Sequence, residues 1–484
     1  MHKDTNIFSE LQEFFQQDDS HKAIFSIYRM MNGLRINGSS IGIKKADNCQ
    51  YTPIQVLHLL ILFPFFVIQD ASHYGSSALA RLFHCERDVF YRFLRDDNIN
   101  WRSILYQFNL QVIRKIAVRS DNKSSKRPVC LVADDTDLPK TGRCIENIGR
   151  IHSHVENRSI LGFKGLFLAR TDGKTQTILD FSFHGEEGRN PEKPQGMSKK
   201  QLAQRYSKER PEDCEGLVRM AECKQDKQTR LKEMVRMAIR KGVRFDYLLV
   251  DSWFTCKDLV RFVIRRRIKC DFLGMIKMGN TKYTSEEYGD LTAKGCIDKL
   301  SRVRHGIKYS KHLHCYYGEM KVLFDGMPVK LFFCRRGKHG NWNGLLSTDT
   351  SLGFFEAYKI YAMRWSIEVC FSEMKGLLKL GKCQARNFTE QIASTSITVI
   401  QYNLLGLVKR FDSYETIGGL FEKITDQTME MTIVDKIWLL IVEVVSAIAE
   451  EVSADHDELM LTAIRGSRHL ERLFAPFLTP AEAA

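Results

Sequence analysis

The chain has 484 residues, enough for more than one domain and a sizeable buried core. Hydrophobic residues make up 44% and charged residues 27% of the sequence, which excludes a disordered or fibrous chain. Lysine and arginine total 72 against 58 acidic residues, so the formal net charge is +14. A surplus of this size is typical of proteins that bind a polyanion, either nucleic acid or an anionic membrane.

The most apolar run, residues 54–68, argues against a membrane partner. It contains Gln55 and His58 and falls short of the roughly 20 apolar residues that a spanning helix needs. It predicts a buried helix that begins near Pro53 and kinks or ends near Pro64. The N-terminus lacks the apolar segment of a secretory signal, and the 13 cysteines form no Cys-x-x-Cys pair, so we expect a reduced, cytoplasmic protein.

The N-terminal region is predicted to be helical. Residues 77–95 have the apolar spacing of two short helices joined near His84 to Arg87, with basic residues on their outer faces. The pattern is equally compatible with a helix-turn-helix motif and with a plain helical bundle. A polar stretch, residues 121–127, is typical of a linker.

The composition then changes to mixed α/β. Apolar strands are predicted at residues 128–134 and 245–251, with a hairpin around Asp172-Gly173 between them. Several β-like segments follow, and the chain is helical again from Phe354. We expect four regions. Residues 1–123 form a helical DNA-binding domain, and residues 124–269 with 347–405 form an α/β core in two pieces. Residues 270–346 form a β-rich insertion, and residues 406–484 form a helical C-terminal region suited to dimerisation.

Both predicted core strands end in aspartate, at Asp134-Asp135 and at Asp251. A single aspartate at such a point is more often a helix cap or a turn former. Two of them at the exits of separate apolar strands indicate a ligand site at the edge of an α/β sheet. Carboxylate oxygens there suit Mg²⁺ or Mn²⁺ better than zinc.

The third acidic element is a predicted helix over residues 355–380. At 100° per residue, Tyr361, Arg364, Glu368 and Lys375 fall on one narrow stripe beside an apolar face, and Glu373 falls away from it. One interpretation is an amphipathic helix with an ordinary i,i+4 ion pair. The other combines its glutamate with the two aspartates as a site for phosphodiester chemistry.

Together these motifs resemble those of the DDE transposases of bacterial insertion sequences, in the group with the YREK signature. The spacing Tyr361-(2)-Arg364-(3)-Glu368-(6)-Lys375 matches that signature, and Asp-Asp-Thr and Val-Asp-Ser-Trp-Phe are similar to the two aspartate motifs. The resemblance implies a ribonuclease H-like catalytic core. It also implies a transposase that binds the terminal inverted repeats of its element, hydrolyses phosphodiester bonds at the ends and joins the 3′ ends to target DNA.

The resemblance further implies which residues act. Asp134, Asp251 and Glu368 would be catalytic and would hold Mg²⁺ or Mn²⁺, in two ions, with Asp135 as an alternative first ligand. The remaining residues of the signature would contact the DNA. The partners would be double-stranded transposon ends and target DNA, with two copies of the chain in the synaptic complex and a location at the bacterial nucleoid.

Other basic and aromatic residues are candidates for DNA contact. Arg265 and Arg266 belong to a basic run after the second aspartate, and Lys208 and Arg210 belong to another basic run. The alternative is that both runs are solvated surface faces without a ligand. Trp342 is a candidate for base stacking in the insertion, or a turn tryptophan packed on it. The sequence has no P-loop, so no ATP use is expected.

Two alternatives share these motifs. A ribonuclease H-like nuclease would cut structured DNA without strand transfer. A regulator derived from a transposase would bind DNA without catalysis, although binding alone does not require metal-holding carboxylates.

Overall fold

The computed structural model describes residues 22–34, 36, 50–120, 127–188, 190–265, 270–412, 414–429 and a few isolated positions between 444 and 466. It contains two compact units, one formed by residues 1–96 with 400–484 and the other by residues 97–399. Among the described residues, none of the helices has the length and hydropathy that a bilayer-spanning segment needs.

The first unit is helical in its described part. Its helices before residue 97 are α1 (Lys22–Asn32), α2 (Pro53–Leu62), α3 (Ala78–Leu82) and α4 (Arg87–Leu94). Helix α2 begins at its proline, capped by the Thr52 side chain, and a 3₁₀ turn takes over at Phe63–Phe66, which confirms the predicted end near Pro64. The two short helices α3 and α4 also confirm the prediction for residues 77–95, and Tyr74 packs on Phe90 beside them.

The second unit is built on one mixed sheet. Its strands are β1 (Cys130–Pro139), β2 (Gly149–Ser153), β3 (Arg158–Thr171), β4 (Gln176–His184), β5 (Tyr247–Val250), β6 (Asp271–Ile276), β7 (Lys282–Ser285), β8 (Gly289–Thr292), β9 (Lys308–Ser310), β10 (Cys315–Phe324), β11 (Met327–Arg336) and β12 (Asn343–Ser347). Its helices are α5 (Trp101–Ser120), α6 (Lys199–Ala203), α7 (Glu215–Glu222), α8 (Lys227–Arg240), α9 (Lys257–Arg265), α10 (Ala293–Arg302), α11 (Phe354–Ala362), α12 (Trp365–Gly376) and the first half of α13 (Phe388–Phe411).

The order β4-β3-β1-β5-β6 forms the centre of this sheet. Strands β4, β3 and β1 are antiparallel neighbours, whereas β1, β5 and β6 run parallel. The β3–β4 hairpin turns at Asp172, whose side chain accepts the backbone N–H groups of Lys174 and Thr175, and at Gly173 with φ +80°, as predicted. This mixed α/β arrangement is the ribonuclease H-like fold.

The sheet continues beyond β6 into the β-rich segment. Strand β12 pairs with β6, and β11, β10, β7 and β8 follow in that order. The antiparallel pair β10–β11 has a two-residue turn at Asp325-Gly326, both at positive φ. These strands therefore extend the central sheet rather than form a separate one.

Helices cover both faces of the central strands. Leu131 and Ala133 of β1 share one buried cluster with Tyr106 of α5 and Leu231 of α8. On the other face, Phe167 of β3 packs against Phe371 of α12, with ring centroids 5.3 Å apart. Because side chains alternate along a strand, successive residues of β1 face α8 and α12 in turn.

Candidate active site

Two carboxylates lie side by side where the parallel pairing of β1 with β5 stops. Strand β1 itself continues to Pro139, so the prediction that this strand ends at Asp134 was wrong, because β1 stays paired with β3 beyond that point. Ala133 of β1 is opposite Val250 of β5, so the next residues, Asp134 and Asp251, are neighbours across the sheet. The Asp251 carboxylate accepts the backbone N–H groups of Trp253 at 3.0 Å and Phe254 at 3.1 Å, which fixes the turn that leaves β5. The strand pairing therefore sets the separation of the two acids.

Side chains alternate along β1, so Asp134 and Asp135, the two candidates for the first acid, lie on opposite faces of the sheet. Asp134 faces α12, and its Oδ2 accepts a hydrogen bond from Arg364. Asp135 faces α8, where its Oδ2 accepts from Lys227 Nζ at 2.5 Å. Only Asp134 therefore points toward the side of the sheet on which the helix with Glu368 lies.

That helix is interrupted within the span predicted from the sequence. Helix α11 ends at Ala362 and α12 begins at Trp365, instead of one helix over residues 355–380. Met363 and Arg364 keep right-handed helical dihedrals, but the backbone bonds here run from i to i−3, and the Ser366 hydroxyl also donates to the Met363 carbonyl. The last turn of α11 is thus tightened, and Arg364 stands at the entrance to α12.

Arg364 connects the first and third acids. Its Nη1 donates to Asp134 Oδ2 at 2.7 Å, and its Nη2 donates to Glu368 Oε1 at 2.5 Å. The side chains of Arg364 and Asp134 are 14% and 16% exposed, and that of Glu368 is 35% exposed. One guanidinium therefore compensates two carboxylates in a mostly desolvated site.

The electrostatics of this group are unusual. Burial raises the pKa of Asp134 to about 7, and the nearby charge of Asp251 adds to the increase, although Arg364 opposes it. Burial acts to lower the pKa of Arg364, but Tyr361, Asp134 and Glu368 outweigh it and raise the pKa above the ordinary value. Burial is therefore the main reason why the Asp134 carboxyl keeps its proton to a higher pH than an exposed aspartate.

Tyr361 and Lys375 contact the same edge of the sheet. The Tyr361 hydroxyl donates to the Val250 carbonyl at 3.3 Å, and burial raises its pKa to about 12. Lys375 Nζ donates to Thr136 Oγ1 at 2.7 Å, and burial lowers its pKa. Tyr361, Arg364 and Lys375 of the predicted stripe thus contact β1 or β5.

The acids suit a divalent cation by type. Three carboxylates offer the hard oxygen ligands that Mg²⁺ and Mn²⁺ prefer, and a cation would reverse the raised pKa of Asp134. In the described part of the chain, no three His, Cys, Asp or Glu side chains are grouped closely enough to hold a metal. Arg364 lies between Asp134 and Glu368, so the three acids come together only if this guanidinium moves.

The other candidates for DNA contact lie elsewhere on the unit. Arg265 is exposed at the C-terminal end of α9, and Arg266 lies outside the described residues. Trp342 is half-buried and packs against the hydrophobic core, with the Arg335 guanidinium 4.7 Å from its ring centroid. This packing agrees with a turn tryptophan on the β-rich segment.

The interpretation of Arg210 as a phosphate contact was wrong. Its side chain is fully buried and binds Asp97 at 2.8 Å and Glu146 at 2.7 Å. Lys208 also binds Asp97, at 2.6 Å. These cations compensate buried carboxylates that are distant in sequence, which a local charge run does not reveal.

Sequence reasoning missed the residues that hold the loop after Asp251. Lys227 and Gln228 begin α8, and the Gln228 amide donates to the carbonyls of Trp253 and Phe254 at 3.4 and 3.2 Å. The signal present in the sequence was Asp226, which caps the helix by accepting the Thr229 backbone N–H. It predicts where α8 begins but not what the helix contacts.

Part of the chain is similar to known proteins. Residues 76–271 match the model of the family described as DDE superfamily endonuclease, a stretch that contains Asp134 and Asp251 and ends before Glu368. The chain is similar to a piggyBac transposase solved in a synaptic complex with hairpin DNA, at 14% identity and a TM-score of 0.42, over 89% of this chain and 81% of that one. No curated protein sequence matches the chain. Residues 76–271 are therefore similar to DDE superfamily endonucleases.

Proposed function

We propose that this protein is a metal-dependent transposase of a bacterial insertion sequence. It would bind the terminal inverted repeats, hydrolyse phosphodiester bonds at the ends and join the 3′ ends to target DNA. The observation that carries the proposal is that Arg364 binds both Asp134 and Glu368, while Asp134 is the neighbour of Asp251 across the sheet. The match of residues 76–271 to DDE endonucleases supports the same chemistry.

The cationic residues of the site would bind the DNA backbone. Arg364 presents a planar guanidinium, which binds a phosphate through paired hydrogen bonds. A phosphate that takes over this guanidinium would release Asp134 and Glu368 from it. Lys375 would hold a neighbouring phosphate, and Tyr361 would keep the backbone against the end of β5.

The three acids are the residues that would hold the divalent cations. Bound there, the ions would activate the attacking oxygen and stabilise the leaving oxygen of the phosphodiester. The raised pKa of Asp134 agrees with this role, because a carboxylate short of positive charge gains most from a cation.

The remaining regions would supply DNA binding and assembly. We infer DNA contact by residues 1–123, where α3 and α4 carry basic residues, and by Arg265 and Arg266. The C-terminal region, residues 406–484, would bring two copies together on the paired ends; its apolar stretch 433–452 lies almost wholly outside the described residues. Trp342 remains our candidate for stacking on an unpaired base.

The test is cleavage of a plasmid that carries the repeats flanking the gene, with Mg²⁺ or with a chelator. Glu368→Gln keeps the size of the side chain and removes its charge, so it should abolish cleavage and leave repeat binding intact. Glu373→Gln is the matched control, because it removes a glutamate of the same helix that faces away from the stripe. It should cleave like the wild type.

Each outcome separates the candidates. Metal-dependent cuts at the repeat ends that Glu368→Gln lacks, followed by joining to a target plasmid, would support the transposase. Cuts without joining would favour a structure-specific nuclease. Tight repeat binding without any cutting would favour a non-catalytic regulator, and normal cleavage by Glu368→Gln would reject the site.

A further inference from the structure

An exposed tryptophan lies close to Asp251, one of the three proposed catalytic carboxylates. Trp253 follows Asp251 by two residues, and its backbone N–H donates to the Asp251 carboxylate. The side chain is 44% exposed, which is high for a large apolar ring in a fixed turn. The proposed chemistry of the acids gives this ring no role.

The ring is held in place on several sides. Lys227 Nζ lies 4.0 Å from the centroid of the Trp253 ring and forms an ion pair with Asp135. Phe254 is buried and meets the ring edge to face, with centroids 4.7 Å apart. Gln228 fixes the backbone of both aromatic residues through its amide. The orientation of Trp253 is therefore set before any ligand arrives.

The surroundings of this ring are suited to a nucleotide. An indole offers a flat face on which any base can stack, and a lysine ammonium binds phosphate as a point charge. Asp135 takes one of the three ammonium hydrogens of Lys227, and Asp135 is next to Asp134 in β1. Trp253 thus adjoins Asp251 at the exit of β5, and Lys227 lies on the α8 side of β1, at the residue that follows Asp134.

We propose that Trp253 and Lys227 form a binding subsite for the nucleotide next to the cleaved phosphodiester. Trp253 stacks on its base, and Lys227 contacts its phosphate. The proposal rests on the proposed function, because it takes DNA as the substrate of the neighbouring acids. The subsite positions DNA and takes no part in bond breaking.

The test measures binding in the presence of a chelator, so that cleavage does not enter. Duplexes that carry the repeat end are compared with the same duplexes bearing a single abasic position, moved one nucleotide at a time. Wild-type protein should be sensitive to the abasic site at one position beside the cleaved bond. Trp253→Leu should bind the intact duplex roughly 5- to 100-fold more weakly and should lose this sensitivity.

Two variants give controls. Trp253→Phe keeps an aromatic face and should retain most of the affinity. Phe355→Leu removes another exposed aromatic ring, on α11, and should leave both affinity and the abasic profile unchanged. Lys227→Met should make the plot of log affinity against log salt concentration less steep, by the amount expected for the loss of about one phosphate contact.

A second measurement does not depend on how well a variant folds. A 2-aminopurine placed at the sensitive position should change its emission when wild-type protein binds, since stacking quenches this base. No emission change at any position, or an unchanged abasic profile in a folded Trp253→Leu, would reject the subsite and leave Trp253 as a cap of its loop.

The proposal and the function on which it rests fail in different ways. Cleavage that depends on Glu368 together with normal binding by Trp253→Leu would reject only the subsite. Stacking at Trp253 together with full activity of Glu368→Gln would reject the assignment of the acids and keep the subsite.

Discussion

Replacing Asp134 with asparagine should make the stability of the protein less dependent on pH. Burial raises the pKa of this carboxyl to about 7 from its ordinary value of 3.8. One pKa unit corresponds to about 1.4 kcal/mol, so the ionised carboxylate costs the folded state about 4 kcal/mol. Asparagine keeps the shape and an oxygen acceptor for Arg364, and it removes this cost.

The direction follows from proton linkage. Because the pKa is higher in the folded state than in the unfolded state, the folded protein binds the proton more tightly. The contribution of Asp134 to stability is therefore greatest below the unfolded pKa and is lost as pH rises through the folded pKa. When the pH rises from about 5 to about 8, ionisation of Asp134 should lower the free energy of unfolding of the wild type by about 3 kcal/mol. Asp134→Asn lacks the carboxyl and should not show this loss.

The assay is urea denaturation of both proteins in chelator at the two pH values. Asp137→Asn is a control of opposite sign, since Lys164 and Ser153 outweigh burial and hold the pKa of Asp137 below its ordinary value. This control should be destabilised equally at both pH values, because the pKa of Asp137 is held below its ordinary value and both pH values lie above that range. If Asp134→Asn differs from the wild type by the same amount at both pH values, Asp134 is ionised throughout and our reasoning is wrong.

Two further substitutions test the packing that supports the site. Arg210→Met should destabilise the protein by about 3–5 kcal/mol in urea denaturation, because Asp97 and Glu146 would stay buried without this partner. A loss of stability below about 1 kcal/mol would show that both carboxylates reach water. Gly274→Ala should lower the free energy of unfolding by about 1–3 kcal/mol, because the new methyl group would overlap the Thr255 side chain. It should also lower the cleavage rate, because the Thr255 hydroxyl donates to the Asp251 carbonyl at 3.0 Å. Unchanged cleavage with lowered stability would mean that this loop adjusts without moving the carboxylate.

The sequence by itself determined the elements that carry the three candidate acids. A strand through Asp134, a strand that ends just before Asp251 and a helical stripe with Glu368 follow from apolar runs and from the period of 3.6 residues. The sequence placed the end of the first strand at Asp134, five residues too early. These are local properties, because a strand or a helix presents its side chains at a fixed spacing. The mixed α/β fold also followed from these patterns. The interruption between α11 and α12 at Arg364 did not, because it depends on backbone hydrogen bonds from i to i−3 within one turn.

Only the tertiary structure decided which side chains meet. The sequence left Asp134 and Asp135 as alternatives, and the packing of α12 on one face of β1 and of α8 on the other separates them. Lys227 is 92 positions from Asp135, and Arg364 is 230 positions from Asp134. Such contacts depend on strand register and helix packing over long separations, and neither is encoded in the spacing of neighbouring residues. The local pattern therefore identifies the acids, and the fold determines their charge partners.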